Sequence, residues 1–297
     1  MTALGASLGS RIGARPRVAG PGATRVSDII LADTVTKLSD VHRGCVLVCG
    51  SHGGVYAGYC AAKGGVRAVI LNDAGIGKDR AGIGSLAFLD RIGLAAATAD
   101  TRTCRIGEAG GMLDDGSISH VNAAAAALGC AAGQSVAECA ALMRAAPMPS
   151  GPPPSVAEAR FVLRDLAGEP FVVGIDSVSL WQPDDAGRIL VTGSHGGRLG
   201  RQPDRSVPDG VLVATYHDAG GGRDGAGWTR LPDLDARGIA GATVAGDTAR
   251  VGDARSCYED GVLSHLNPTA ERLGARIGMR LGAWVDGLVA ARAGAAA

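Results

Sequence analysis

Residues 72–133 recur as residues 217–278 at a constant offset of 145, without a gap and with 27 identities in 62 positions. Residues 33–54 recur as 176–197 at an offset of 143, with 10 identities in 22, and the run GSHGG stands at 50–54 and again at 193–197. Matching on this scale predicts an internal duplication. The period far exceeds that of solenoid or propeller repeats, so each copy is expected to be a domain-sized unit rather than a stacking module.

The length of 297 residues fits two ordinary domains. The stretch AAPMPSGPPP at 145–154 holds five prolines and can be neither helix nor strand. The chain therefore divides into a tail at 1–25, copy one at 26–144, a Pro-rich linker at 145–158 and copy two at 159–292. The tail carries Arg11, Arg15, Arg17 and Arg25 with no acid, and it is read as disordered.

Within copy one the short apolar runs IILADTV, CVLVCG, VRAVILND and LAAATAD alternate with the helix-compatible VYAGYCAAKGG and IGSLAFLDRIG. Copy two repeats the pattern with FVVGIDSV, ILVTG, VLVATYHD and IAGATVAG, but has RLGRQPDRSVPDG, an expected loop, in place of the first helix. Short runs that are apolar on both faces and alternate with helices predict mainly parallel sheets. The expected fold class is α/β, as two tandem homologous units related by a pseudo-two-fold axis.

Charge is balanced at 29 cations and 29 anions, which offers nucleic acid or a membrane surface no electrostatic footprint. Aromatic residues make up 3 %, too few for base-stacking platforms. No apolar run reaches the 18 or so residues of a membrane helix. Seven cysteines without C-x-x-C spacing are expected to be reduced, in a cytoplasmic protein. The expected partner is a small-molecule substrate, with a homo-oligomer as a further expectation.

Three motifs survive in both copies, each where an expected strand ends: GSHGG, DAG-x-G-x-D-x-AG and T-x-R-[IV]-G-[ED]-A. Ligands of open α/β sheets bind at the carboxyl ends of the strands, so these motifs are expected to converge on a site. The expected acid–base residues are His52, Asp73, Asp79 and His120 with their counterparts His195, Asp218, Asp224 and His265. Expected substrate contacts are Ser51, Gly53, Gly54, Ser194, Gly196 and Gly197, with Arg105, Arg250 and Arg201 as anion anchors.

Each of these has a plainer reading: strand-end caps for the histidines, turn chemistry for Asp and Gly, and internal Arg–carboxylate pairs, since Glu108 and Asp253 follow the arginines by three residues. Asn122 and Asn267 read as helix caps, and His120 and His265 just before them are expected to point toward a helix start. No cofactor motif is present, although His52, Asp73, Asp79 and His120 could hold a divalent metal. Cys104, with Ala249 at the matching position, is a candidate nucleophile. Ser-His-Gly at one strand end and Asp-Ala at a later one resembles the layout of caspase-like peptidases. Those enzymes place their cysteine directly after Asp-Ala, where this chain has Gly75 and Gly220, so no family follows.

These features favour a soluble hydrolase acting on a small polar or carboxylated molecule, for example an amide or cyclic amide. An isomerase or epimerase using opposed residues of the two copies is the alternative, followed by a non-catalytic ligand-binding or scaffolding protein.

Overall fold

The computed structural model describes residues 24–26, 28–200, 203 and 205–296. It contains two six-stranded mixed sheets with helices packed on them, an α/β architecture. The first comprises β1 (Thr24–Val26), β2 (Ile29–Ala32), β3 (Val46–His52), β4 (Ala68–Asn72), β5 (Ala95–Ala99) and β6 (Ile118–Val121), adjacent in that order. The second comprises β7 (Arg160–Leu166), β8 (Glu169–Ile175), β9 (Ile189–His195), β10 (Val213–His217), β11 (Ala240–Val244) and β12 (Leu263–Leu266), again in chain order. In each sheet the four central strands are parallel and the two edge strands antiparallel. We call the first sheet with its helices half one and the second half two.

The central strands are buried on both faces, which is why their sequences are continuously apolar rather than alternating. Leu47 and Cys49 of β3 face one cluster, with Ala57, Leu86 and Leu89 of the helices Val55–Lys63 and Gly84–Asp90. Val46 and Val48 face the other, with Met112, Val136 and Met143. Full burial of each such Val, Leu or Met contributes about 1.5–3 kcal/mol. In half two, Ile189 and Val191 face Trp284 and Tyr258, while Leu190 faces Leu231 and Leu234.

Residues 1–23 of the expected tail lie outside the described residues, whereas Thr24 and Arg25 belong to β1. The linker is irregular but lies against half one: the Ser150 N–H donates to Ile92 O at 3.1 Å and Val156 packs on that half's core. The described part of 198–212 contains neither helix nor strand. Among the described residues no helix is long and apolar enough to cross a membrane.

β6 and β12 differ from expectation. His120 and His265 occupy strands hydrogen-bonded to β5 and β11, not the approach to a helix. Four residues with only one clear apolar alternation are too short for periodicity to identify. Asn122 and Asn267 do cap the following helices, accepting from Ala125 and Ala270 N–H at 2.9 Å each.

Candidate functional site at the junction of the halves

All three motifs lie where the carboxyl ends of the two sheets meet. β3 and β9 end in a bulge, with four residues of β3 spanning two of β4, and β9 against β10 behaves identically. A bulge of this kind bends the strand end and re-aims its side chains. Ser51 and Ser194 spend their hydroxyls on main chain, accepting from Val35 N at 3.0 Å and Val178 N at 2.9 Å. The glycines are dictated by packing: a Cβ on Gly53 would sit 2.4 Å from Gly82 O, and one on Gly196 2.5 Å from Gly227 O. The next glycines lie under the imidazoles, since a Cβ on Gly54 would be 2.7 Å from His52 Nδ1 and one on Gly197 3.1 Å from His195 Nδ1. All six residues therefore have structural roles at these strand ends.

His195 is buried at the junction, and His52 is partly buried there. Nδ1 of His52 accepts from Gly54 N at 3.1 Å, and Nδ1 of His195 from Gly197 N at 3.2 Å. A neutral imidazole whose Nδ1 lone pair is so occupied carries its proton on Nε2, where it can donate but not act as a base. Burial, with a smaller contribution from His217, pushes His52 down to about 4. Burial and then Arg230, His52 and His217 hold His195 well below its usual value. His217, at the position of Asn72, accepts from Ala219 N and donates from Nε2 to Ala249 O. The acid–base role expected of His52 and His195 thus becomes that of neutral donors inside the junction.

The expected anion anchors are engaged as well. Arg105 pairs with Glu108 at 3.3 Å and reaches across to Asp224 of half two at 3.2 Å. Reciprocally, Arg250 pairs with Asp253 at 2.9 Å and reaches Asp79 of half one at 3.0 Å. Asp79 and Asp224 are therefore ion-pair partners rather than free acid–base groups. Arg201 lies outside the described residues. Cys104 is buried beside Asn72, and burial pushes its thiol up to about 12, which removes it as a nucleophile at neutral pH. Among the described residues no three His, Cys, Asp or Glu side chains converge as metal ligands, so His52, Asp73, Asp79 and His120 form no metal set.

Asp73 and Asp218 close the strands β4 and β10. Oδ1 of Asp73 accepts from Gly75 N and Thr101 N at 3.0 Å each, and Oδ1 of Asp218 from Gly220 N and Gly246 N at 2.9 Å each. These bonds pin the glycine-rich loops, which run through left-handed conformations at residues 74–77 and 219–222. Ile76 is among them at φ 66°, a position where a β-branched residue is strained by about 1–3 kcal/mol. The loops cross so tightly that a Cβ on Gly75 would lie 2.8 Å from Gly220 Cα. Ala74, Ile106, Ala219, Ala226 and Val251 form a small apolar core there.

Beside this crossing, on the strand edge of half two, lies a cleft of about 480 Å³. Half one contributes Gly75, Ile76, Gly77 and Lys78; half two contributes Asp218, Gly220, Ala245, Gly246 and Asp247. The Lys78 N–H donates to Gly246 O at 2.8 Å, and its ammonium pairs with Asp260 at 2.8 Å. Asp218 is 7 % exposed, and its Oδ2 has no hydrogen bond among the described residues. His265 lies near enough for Asp218 to raise its proton affinity, although burial outweighs this and lowers it. Its ring stacks on Trp228, with centroids 3.5 Å apart, and its buried Nδ1 has no partner. His120 Nδ1 is likewise buried without a partner.

The matching edge of half one carries different side chains. Thr101 replaces Gly246, and its Oγ1 would stand 2.8 Å from a Cβ on Gly222. Arg102 replaces Asp247 and folds onto Asp100 with contacts of 2.7–3.2 Å. The cleft residues Lys78, Gly246 and Asp247, and the ring support Trp228, were not found from the sequence. Their signal was there as positions where the copies diverge inside an otherwise matched block.

Compared with protein families, curated proteins and solved structures, the chain matches none.

Proposed function

We propose that the chain is a hydrolase of a small polar molecule and that its site is the cleft on the strand edge of half two. Asp218 carries this reading: it is nearly buried, held by two main-chain N–H groups through one oxygen, has no hydrogen bond to its other oxygen among the described residues, and lines a cavity of ligand size. His265 supplies the acid–base group. Its lowered proton affinity keeps the imidazole neutral near pH 7, and because Nδ1 is buried, Nε2 is the nitrogen this reading assigns to the reaction. A neutral imidazole and a carboxylate are sufficient to activate water against a carbonyl such as an amide.

The two halves derive, in this reading, from an internal duplication and are related by a pseudo-two-fold axis. Identical strand orders, the crossing at Gly75 and Gly220 and the reciprocal pairs Arg105–Asp224 and Arg250–Asp79 support it. Half one is then the supporting copy, since Thr101 and an Arg102–Asp100 pair stand where half two has Gly246, Asp247 and Ala245. The protein is read as cytoplasmic and soluble, with a small-molecule partner.

One observation favours a non-catalytic binding protein instead: several residues kept in both copies, Gly75 and Gly220, Arg105 and Arg250, and Asp79 and Asp224, hold the halves together. Turnover separates the two readings. Wild-type protein assayed against small amides should show hydrolysis that His265→Gln reduces by about 100-fold or more. Ligand binding without turnover by the wild type would support the binding protein.

A further inference from the structure

Resting on the cleft as the site, we infer that its ligand carries a positively charged group, an ammonium, amidinium or guanidinium, and that Asp247 sets this preference. Of the three anion anchors expected for a carboxylated ligand, Arg201 lies outside the described residues, and Arg105 and Arg250 are each held by two carboxylates. The ammonium that lines the cleft, Lys78, is neutralised by Asp260 at 2.8 Å. Two carboxylates remain facing the cavity. Asp218 is nearly buried with Oδ2 unpartnered, and Asp247 is exposed and makes no ion pair among the described residues. The field in the cavity is therefore negative, and a planar guanidinium or amidinium could engage both acids at once.

The matched edge supplies the contrast. At the position of Asp247 half one has Arg102, and at the position of Ala245 it has Asp100, so the same backbone there carries a closed internal ion pair. Half two differs at both positions: Ala245 stands where half one has the acid, and Asp247 where it has the arginine.

The test uses n-butylguanidinium and n-butylammonium, with butyrate as the opposite charge, followed by calorimetry and by amide shifts of Gly220 and Gly246. Both cations should bind, weaken with added salt, and move those two amides. Asp247→Arg, at an exposed position, should weaken the cations by about tenfold or more and let butyrate bind. Binding of butyrate but neither cation by the wild type, or cation binding that Asp247→Arg leaves unchanged, would overturn the inference. Turnover separates it from the hydrolase reading. Loss of cation binding with intact hydrolysis of neutral amides sinks only the charge preference. Cation binding at these amides without any hydrolysis sinks only the enzyme.

Discussion

Arg250 in half two and Asp79 in half one lie 3.0 Å apart across the junction, and Arg105 and Asp224 repeat the contact in the opposite sense at 3.2 Å. The four side chains are 37–64 % exposed, so each contact is worth only about 0.2–1 kcal/mol. A residue kept twice need not touch a ligand; being part of one interface used from both sides is sufficient.

Double-mutant cycles on urea unfolding measure this. Arg250→Ala with Asp79→Ala, and Arg105→Ala with Asp224→Ala, should give similar couplings, each within about 1 kcal/mol and shrinking in salt. A coupling in one pair alone would mean that the other arginine is available to a ligand.

Gly53 distinguishes packing from ligand approach. With Gly82 O 2.4 Å from the added Cβ, Gly53→Ala should cost about 2 kcal/mol or more. Gly110→Ala, where nothing lies within 4 Å of the added carbon, is the control and should not destabilise. Wild-type stability in Gly53→Ala would return Gly53 to the role of a ligand contact.

His52 should stay neutral well below the ordinary range, with its Nε2 protonated, until the pH nears 4. The unfolded chain binds this proton near pH 6.5, so the contribution of His52 to stability is fully present above that pH and is lost as the pH falls from 6.5 toward 4. Glu158 opposes it: burial raises its carboxyl to about 7, so its contribution grows as the pH falls below 7. Imidazole NMR resolves the two. The His52 ring signals should not move between pH 8 and 5, and a midpoint near 6.5 would contradict its lowered proton affinity.

Much of the fold was legible because two-faced burial forces continuous apolar runs, as in Val46–His52 and Ala68–Asn72, and Asn122 and Asn267 announce their caps. β6 and β12 were not, since a four-residue antiparallel edge lacks a period. The site was legible only as a region. Residues that match between the halves include those that contact each other across the junction, Arg105, Arg250, Gly75 and Gly220, and those that close the packing within each half, Gly53 and Gly196. The cleft needs a second half in place before it exists, and Lys78 and Asp247 become neighbours only across it. Nothing local in the sequence joins them.

Paired substitution of the two matched aspartates tests whether the site lies on the edge of half two. Asp218→Asn and Asp73→Asn each keep an oxygen that can accept the two main-chain N–H groups, so both should fold. Amide hydrolysis by the two variants is then compared with wild type at equal folded concentration. The account predicts that Asp218→Asn loses at least about 100-fold while Asp73→Asn stays within a few-fold of wild type. Equal losses in both, or a loss confined to Asp73→Asn, would contradict a single site on the edge of half two.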